Sequence, residues 1–287
     1  MALLCALVFM LVAKSWHLLG QLVGQPSSFA DSMMSESAQR FRDESQSLSR
    51  KQSTYLGGAV VFVVMYVAAS SFQGPQIYAG YPVWQLYILF SALGAGALFA
   101  LYRLVRTFLL YREVRFLCDA NIAIGHALHR IAVDCGRTYH DVPTASGIID
   151  HVLVGKRGVY AIHVLAKRHL RRGQVRLDHN ELLFSNSDNP VSIVATAAAG
   201  KRLAKELGEI TGRNIRVRSV LAVPGWDISE QLSHEHLLVN ERTLPMVRGW
   251  NDQSDYLLDE EISAIQSNLT ARCIRRKSRR LQNTGRS

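Results

Sequence analysis

Apolar and polar positions repeat on three scales along this chain, and each scale predicts a different kind of element. Residues 1–24 are apolar but broken by Lys14 and His17, and the uninterrupted run ends at Ala13. That run is short for a spanning helix of about 20 residues. The segment reads as an N-terminal membrane or interfacial helix. Ser28-Phe29-Ala30 fits a leader-peptide cleavage site, but the start carries no basic residue and the site lies far from the apolar run, which opposes a cleaved leader. Residues 25–54 are polar and Ser-rich and read as a solvated linker, with Ser35–Leu48 suited to a surface helix. Tyr55–Phe72 and Val83–Tyr102 carry no charge and are long enough to cross a bilayer, so residues 55–103 are expected to form two transmembrane helices. Between them Gly74-Pro75 and Gly80 form a turn, and Tyr78, Tyr81 and Trp84 suit the membrane interface. Ala92, Gly96 and Ala100, four apart, give the second helix a smooth face for close packing, and Gly57 and Gly58 offer the same on the first. Neither run holds the intramembrane charge that a transport pathway needs, so a plain anchoring hairpin is the reading.

Beyond Arg103 the pattern changes. Residues 104–117 form a basic connector helix, and Ile122, Ile124, Leu128 and Ile131 continue at helical spacing. Thr138–Val142 reads as a strand. Ile148–Val154 and Val159–Leu165 are Val- and Ile-rich runs around a turn with Gly155 and Gly158 at its ends, which is hairpin chemistry. Their few charges predict cover on both faces. Val175–Leu177, Leu182–Phe184 and Val217–Val223 read as further strands. Val191–Ile210 reads as an Ala-rich helix with Lys201, Arg202 and Lys205 on one side, and Asp259-Glu260-Glu261 opens a helix through Ile262–Leu269. This is an α/β domain over residues 118–271.

Charge is unevenly placed. The formal net charge is +10, but residues 272–287 hold seven Lys or Arg and no acid, so ten less seven leaves +3 for all the rest. The basic character belongs to a tail, whose Arg275, Arg276, Lys277, Arg279 and Arg280 are candidates for contact with anionic lipid or nucleic acid. Arg171 and Arg172, in the basic run Lys167–Arg176, are candidates for the same contact, although no aromatic residue interleaves with them for base stacking. The four cysteines, Cys5, Cys118, Cys135 and Cys273, show no metal-ligand spacing, and the soluble part suits a reducing cytoplasm. The dipeptide His140-Asp141 and the triplet His234-Glu235-His236 are weak metal signals, the second in a polar loop. No phosphate-binding Gly-rich loop is present, since GKRLAKE lacks the upstream Gly and the Ser or Thr of that motif.

One acid, Asp150, sits inside an apolar strand, where a lone carboxylate is costly unless paired. Here the chain resembles the NERD family of nuclease-related domains. Ile149-Asp150-His151-Val152-Leu153-Val154-Gly155 and Gly158-Val159-Tyr160-Ala161-Ile162 fit the family's hairpin. His140-Asp141-Val142, Asn189-Pro190 before a long helix, Val220–Gly225, Leu238-Val239-Asn240 and Leu244-Pro245 extend the resemblance over roughly Cys118–Trp250. The resemblance implies a restriction-endonuclease-like fold, a mixed sheet flanked by helices, here preceded by the transmembrane helical hairpin. It also implies metal-dependent nuclease chemistry. Four positions depart from the family pattern: His163 stands at its Glu, Leu165 at its Lys, Asn121 at the Glu of its first helix and Ile193 at its Gln.

Magnesium takes hard oxygen ligands, so His163 is a poor substitute, and Leu165 cannot move a proton. Three readings follow. In the first, the domain has lost cleavage, binds no cofactor, and acts as a nucleic-acid-associated or scaffolding module on the cytoplasmic face of a membrane. There Asp150 is paired with His163 or with backbone donors. In the second, Asp150, His163 and Lys167 form a relocated magnesium site, with His163, Leu165 and Lys167 on one strand face. In the third, the chain is a membrane interaction module without nucleic acid. The partners so implied are the membrane, DNA or RNA, and anionic lipid through the tail. The protein is expected to be multi-pass with its C-terminal domain cytoplasmic, because Arg50, Lys51, Arg103, Arg106 and Arg112 flank the hairpin while residues 73–83 hold no Lys or Arg.

Overall fold

The computed structural model describes residues 36–71, 80, 82–168, 173–185, 187, 189–231, 233, 235–250 and 252–284. Residues 35–273 form one compact unit. Residues 274–284 lie outside that unit and are described as the last turns of the final helix. The apolar segment 1–24 and most of the turn between the two apolar runs therefore lie outside the described residues.

Two long helices come first. Helix α1 spans Gln39–Ser71 and α2 spans Val83–Cys135, 33 and 53 residues. At about 1.5 Å per residue they measure about 50 and about 80 Å, against a bilayer core of about 30 Å. Both are long and apolar enough to cross a membrane. None of α1's most apolar window and only 11% of α2's is buried, unlike the core helix of a globular protein. Leu56, Val60, Val64, Trp84, Ile88, Leu98 and Phe99 all face outward.

The helices run antiparallel. Down the pair, Tyr66 stacks edge-on to Phe90, Phe62 faces Gly96, the Tyr55 hydroxyl accepts from Arg103, and Ser37 donates to the Asn121 carbonyl. A Cβ on Gly96 would lie 2.7 Å from the Phe62 ring, so the small residue there permits the close approach. Gly57 and Gly58 have nothing within 4 Å of such a Cβ and take no part in the packing.

Both helices run through changes of side-chain character. The linker boundary at residue 54 falls inside α1. The second apolar run, the basic connector and the amphipathic segment around Ile124 are one helix. No Pro interrupts either element, and backbone hydrogen bonding carries the helix through changes of side-chain character. Helix α2 ends at Gly136, whose φ of 132° and contact with the Val154 carbonyl exclude a side chain. The chain turns there directly into the sheet.

That sheet has five strands in the order β1-β2-β3-β7-β9. Strands β1 (Arg137–Thr144), β2 (Gly147–Gly155) and β3 (Gly158–Val164) pair antiparallel; β7 (Val217–Ala222) and β9 (His236–Val239) then add in parallel. A smaller sheet orders β6-β5-β4-β8, from Val191–Ser192, Glu181–Phe184, Gln174–Asp178 and Asp227–Gln231. Helix α3 (Val194–Thr211) packs on β7 and β2, and α4 spans Asp259–Thr284. On one side Ile124, Leu128 and Ile131 of α2 close over Leu153, Tyr160, Ile162 and Val220. A second core gathers Val175, Leu182, Phe184, Trp226, Ile193, Leu221 and Leu238. Strand β3 is buried along its whole length and β2 is buried from Ile149 onward, as their composition predicts.

Candidate functional site

The ladder between β2 and β3 runs from Gly155–Gly158 to His151–Ile162 and stops. Beyond it β3 stays with β7 as far as Val164–Ala222, while β2 stays with β1. Asp150 lies in the resulting fork. Its Oδ2 accepts the Val164 N–H at 2.9 Å, a donor that the ladder no longer uses. Its Oδ1 accepts Arg40 Nη2 at 3.0 Å. Arg40 belongs to the first turn of α1, on the far side of the apolar hairpin in sequence. The backbone-donor part of the expected pairing is present; His163 is replaced by Arg40.

Asp141 stands opposite Asp150 on β1, between the pairs His140–His151 and Val142–Ile149. Its φ is 54°, a left-handed conformation unusual for a residue in a strand. Its Oδ2 accepts the backbone N–H of Arg40 at 3.0 Å, and Oδ1 lies 3.8 Å from Arg40 Nε. Asp141 therefore satisfies one of the free N–H groups at the start of α1, supplied from a different element. Burial pushes the Asp150 carboxyl up to about 6, against the pull of the Val164 N–H and Arg40. It is still mainly ionised at neutral pH.

The remaining candidates have other partners. His163 is buried, and its Nε2 has no hydrogen-bond partner among the described residues. Burial, then the nearby His236, lowers it to about 4. Lys167 lies beyond the end of β3: its ammonium sits 4.6 Å over the Phe184 ring and its carbonyl accepts the Trp226 indole N–H. The structure gives Asp150, His163 and Lys167 three separate sets of partners. Strand β3 ends at Val164, so the strand alternation behind the relocated grouping does not reach Lys167. Asn121 is buried and donates to Leu117 O within its own helix. Leu165 and Ile193 pack in the second core.

Magnesium does not fit this donor set. Both Asp150 oxygens are engaged, and among the described residues no group of three or more His, Cys, Asp or Glu is placed to hold a metal. His140 and His151 meet through their Nδ1 atoms at 2.7 Å, so one neutral ring donates and the other accepts. Burial lowers both, His151 well below the ordinary value. His236 opens strand β9 and pairs with Ser219, which corrects its expected place in a polar loop; His234 lies outside the described residues.

Of the basic run, Arg168 donates to the Arg112 carbonyl and covers Phe116, tying it to α2. Arg171 and Arg172 lie outside the described residues. Arg275, Arg276, Lys277, Arg279 and Arg280 are placed on α4 by backbone alone, and their side chains lie outside the description.

Sequence reasoning missed two arginine clusters. One is Arg40 with Asp141 and Asp150. In the other, Arg218 of β7 donates to Asp255 at 2.6 Å and to Asp252 at 2.7 Å, under the Trp250 ring. An open cavity of about 220 Å³ beside it is lined by Lys201, Arg216, Ser219 and His236. A charged residue inside an apolar strand was the only available signal, and Arg218 carries it as plainly as Asp150 does. Comparison of the chain with protein-family models, curated proteins and solved structures finds no match.

Proposed function

We propose that this protein is a membrane-anchored, nuclease-related domain of restriction-endonuclease-like type that no longer cleaves. It serves as a nucleic-acid-associated or scaffolding module at the cytoplasmic face. The observation that carries the reading is the Arg40 guanidinium on Asp150 Oδ1, a cation from the chain itself on the carboxylate where the resemblance implies a metal ligand. Phosphodiester hydrolysis needs a metal that meets both water and phosphate. Asn121, His163 and Leu165 supply neither a second carboxylate nor a proton-transferring Lys. Members of such a set acting together do not replace one another.

The outward apolar surface of α1 and α2 supports anchoring. The basic residues at its ends support a cytoplasmic domain and an outward turn. Each Lys or Arg of the tail near an anionic surface contributes about 1 kcal/mol, screened by salt. A relocated site built on Asp150, His163 and Lys167 is the second reading, and the separate partners of those three residues weigh against it. The full-length protein in nanodiscs, with magnesium or manganese and plasmid DNA, tests the proposal. DNA retardation without nicking is the expected outcome. Metal-dependent nicking that disappears in Asp150→Ala overturns it. No retardation and no nicking leaves the purely membrane-directed module as the account.

A further inference from the structure

Among the described residues, the turn that leads into α1 meets the domain mainly through polar atoms. The turn Glu36–Arg40 contributes one buried apolar side chain, Ala38, and Ala38 has φ of 61°. Its other attachments are polar: Ser37 Oγ to the Asn121 carbonyl at 2.9 Å, and Arg40 to the two aspartates. Asp141, across the contact, is also left-handed at φ 54°. Left-handed backbone therefore stands on both sides of the contact, a conformation that costs free energy and is held by the contacts around it. Gly125 of α2 completes the seat, because a Cβ there would overlap Ser37 Oγ. A segment held by strained residues and polar contacts, with little apolar burial, belongs to the least stable part of a fold.

We propose that the turn leading into α1, Glu36 to Arg40, is a strap that covers Asp150 and opens as a unit, uncovering the Asp141–Asp150 pair while the domain stays folded. The proposal rests on reading Asp150 as the centre of the domain's site. The strap is continuous with the apolar hairpin. A shift of α1 along α2 pulls Arg40 from its carboxylates, and access to the site thereby follows the position of the hairpin in the bilayer. When Arg40 leaves, Asp150 keeps the Val164 N–H and can take up a proton, so the open state does not strand a buried charge.

Cys118 supplies the probe. It is buried on α2 beside Arg42 of α1, one turn along from the strap, while Cys273 is buried against β1 at the His140 carbonyl. Maleimide labelling of the full-length protein in nanodiscs, located by peptide mass spectrometry, reads both thiols at once. Arg40→Met removes the charge. Gly125→Ala displaces Ser37 sterically while substituting a better helix former, so it keeps the fold and leaves the acids untouched. Each variant is expected to raise the Cys118 labelling rate about tenfold or more over wild type, with Cys273 unchanged. Arg40→Lys, which retains charge without the fork, should fall between. Unchanged labelling of Cys118 in both variants overturns the strap, and so does a parallel rise at Cys273, which means the turn does not open separately. Nicking by the wild-type protein would bear on the loss of cleavage alone and leave these rates as they stand.

Discussion

Two arginines in this chain each hold a pair of aspartates, in opposite circumstances. Arg218 and its partner Asp255 are sealed, with 7% and 1% of their side chains exposed, and Trp250 lies over the guanidinium. Asp252, itself exposed, and Asp255 also cap the 3-10 turn Gln253–Asp255 through each other's backbone, which fixes both acids beside Arg218. Arg40 is 23% exposed and reaches Asp141 and Asp150 from a helix more than 100 residues away in sequence, across left-handed backbone on both sides. The same ion-pair chemistry is a pin in one place and a strap in the other. Burial sets the difference: Arg218 and Asp255 are out of reach of solvent, whereas Arg40 is partly exposed. Burial also raises the Asp150 carboxyl to about 6, which gives that site a neutral form close to neutral pH.

The largest expected effect breaks the pin. Arg218→Met leaves Asp255 buried without its cation and should cost about 3–5 kcal/mol of domain stability in urea unfolding. A cost of only about 1–2 kcal/mol would place Arg218 in the same class as Arg40. Arg40→Met should cost about 1–2 kcal/mol at pH 7, since Asp150 protonates instead. Its loss should shrink toward pH 5, where Asp150 is protonated in either protein. An equally large loss at pH 5 and pH 7 would remove the proton from the account.

The histidines give an effect between those of the two arginines in size. His163 is held near 4, below its unfolded value of 6.5, so its contribution is present above pH 6.5 and is lost as pH falls toward 4. That loss is on the order of 3 kcal/mol. His163→Gln should flatten the acid limb of stability over this window, and an unchanged limb would assign it to His151 and His140. The smallest effect concerns the tail. Truncation after Ala271 should weaken binding to anionic vesicles and reduce its salt dependence. Equal binding by both proteins would remove the tail from the account.

The β2–β3 hairpin was legible because its Gly-bounded turn and its runs of Val and Ile specify pairing locally. Asp150 stood out as the one acid in that run. Strands β8 and β9 were not legible as strands. Asp227–Gln231 is polar or acidic at every position but Ile228, and both strands depend on parallel partners supplied by the tertiary fold. The unity of α2 was hidden by its changes of character, from apolar to basic to amphipathic, which composition divides and helical hydrogen bonding ignores. Arg40 was invisible for a different reason. It lies in a Ser-rich polar stretch, and only the antiparallel return of α1 along α2 delivers it to a fork in the sheet. No local pattern encodes a contact between residues 40 and 150.

The most direct test separates the residues of the site from its cover. Full-length Arg40→Met, incubated with manganese and supercoiled plasmid, has its acidic pair uncovered but still carries Asn121, His163 and Leu165. The account predicts no nicking above background. Nicking by Arg40→Met that vanishes in Arg40→Met with Asp150→Ala would contradict it, and would make the chain a nuclease held off by its own arginine.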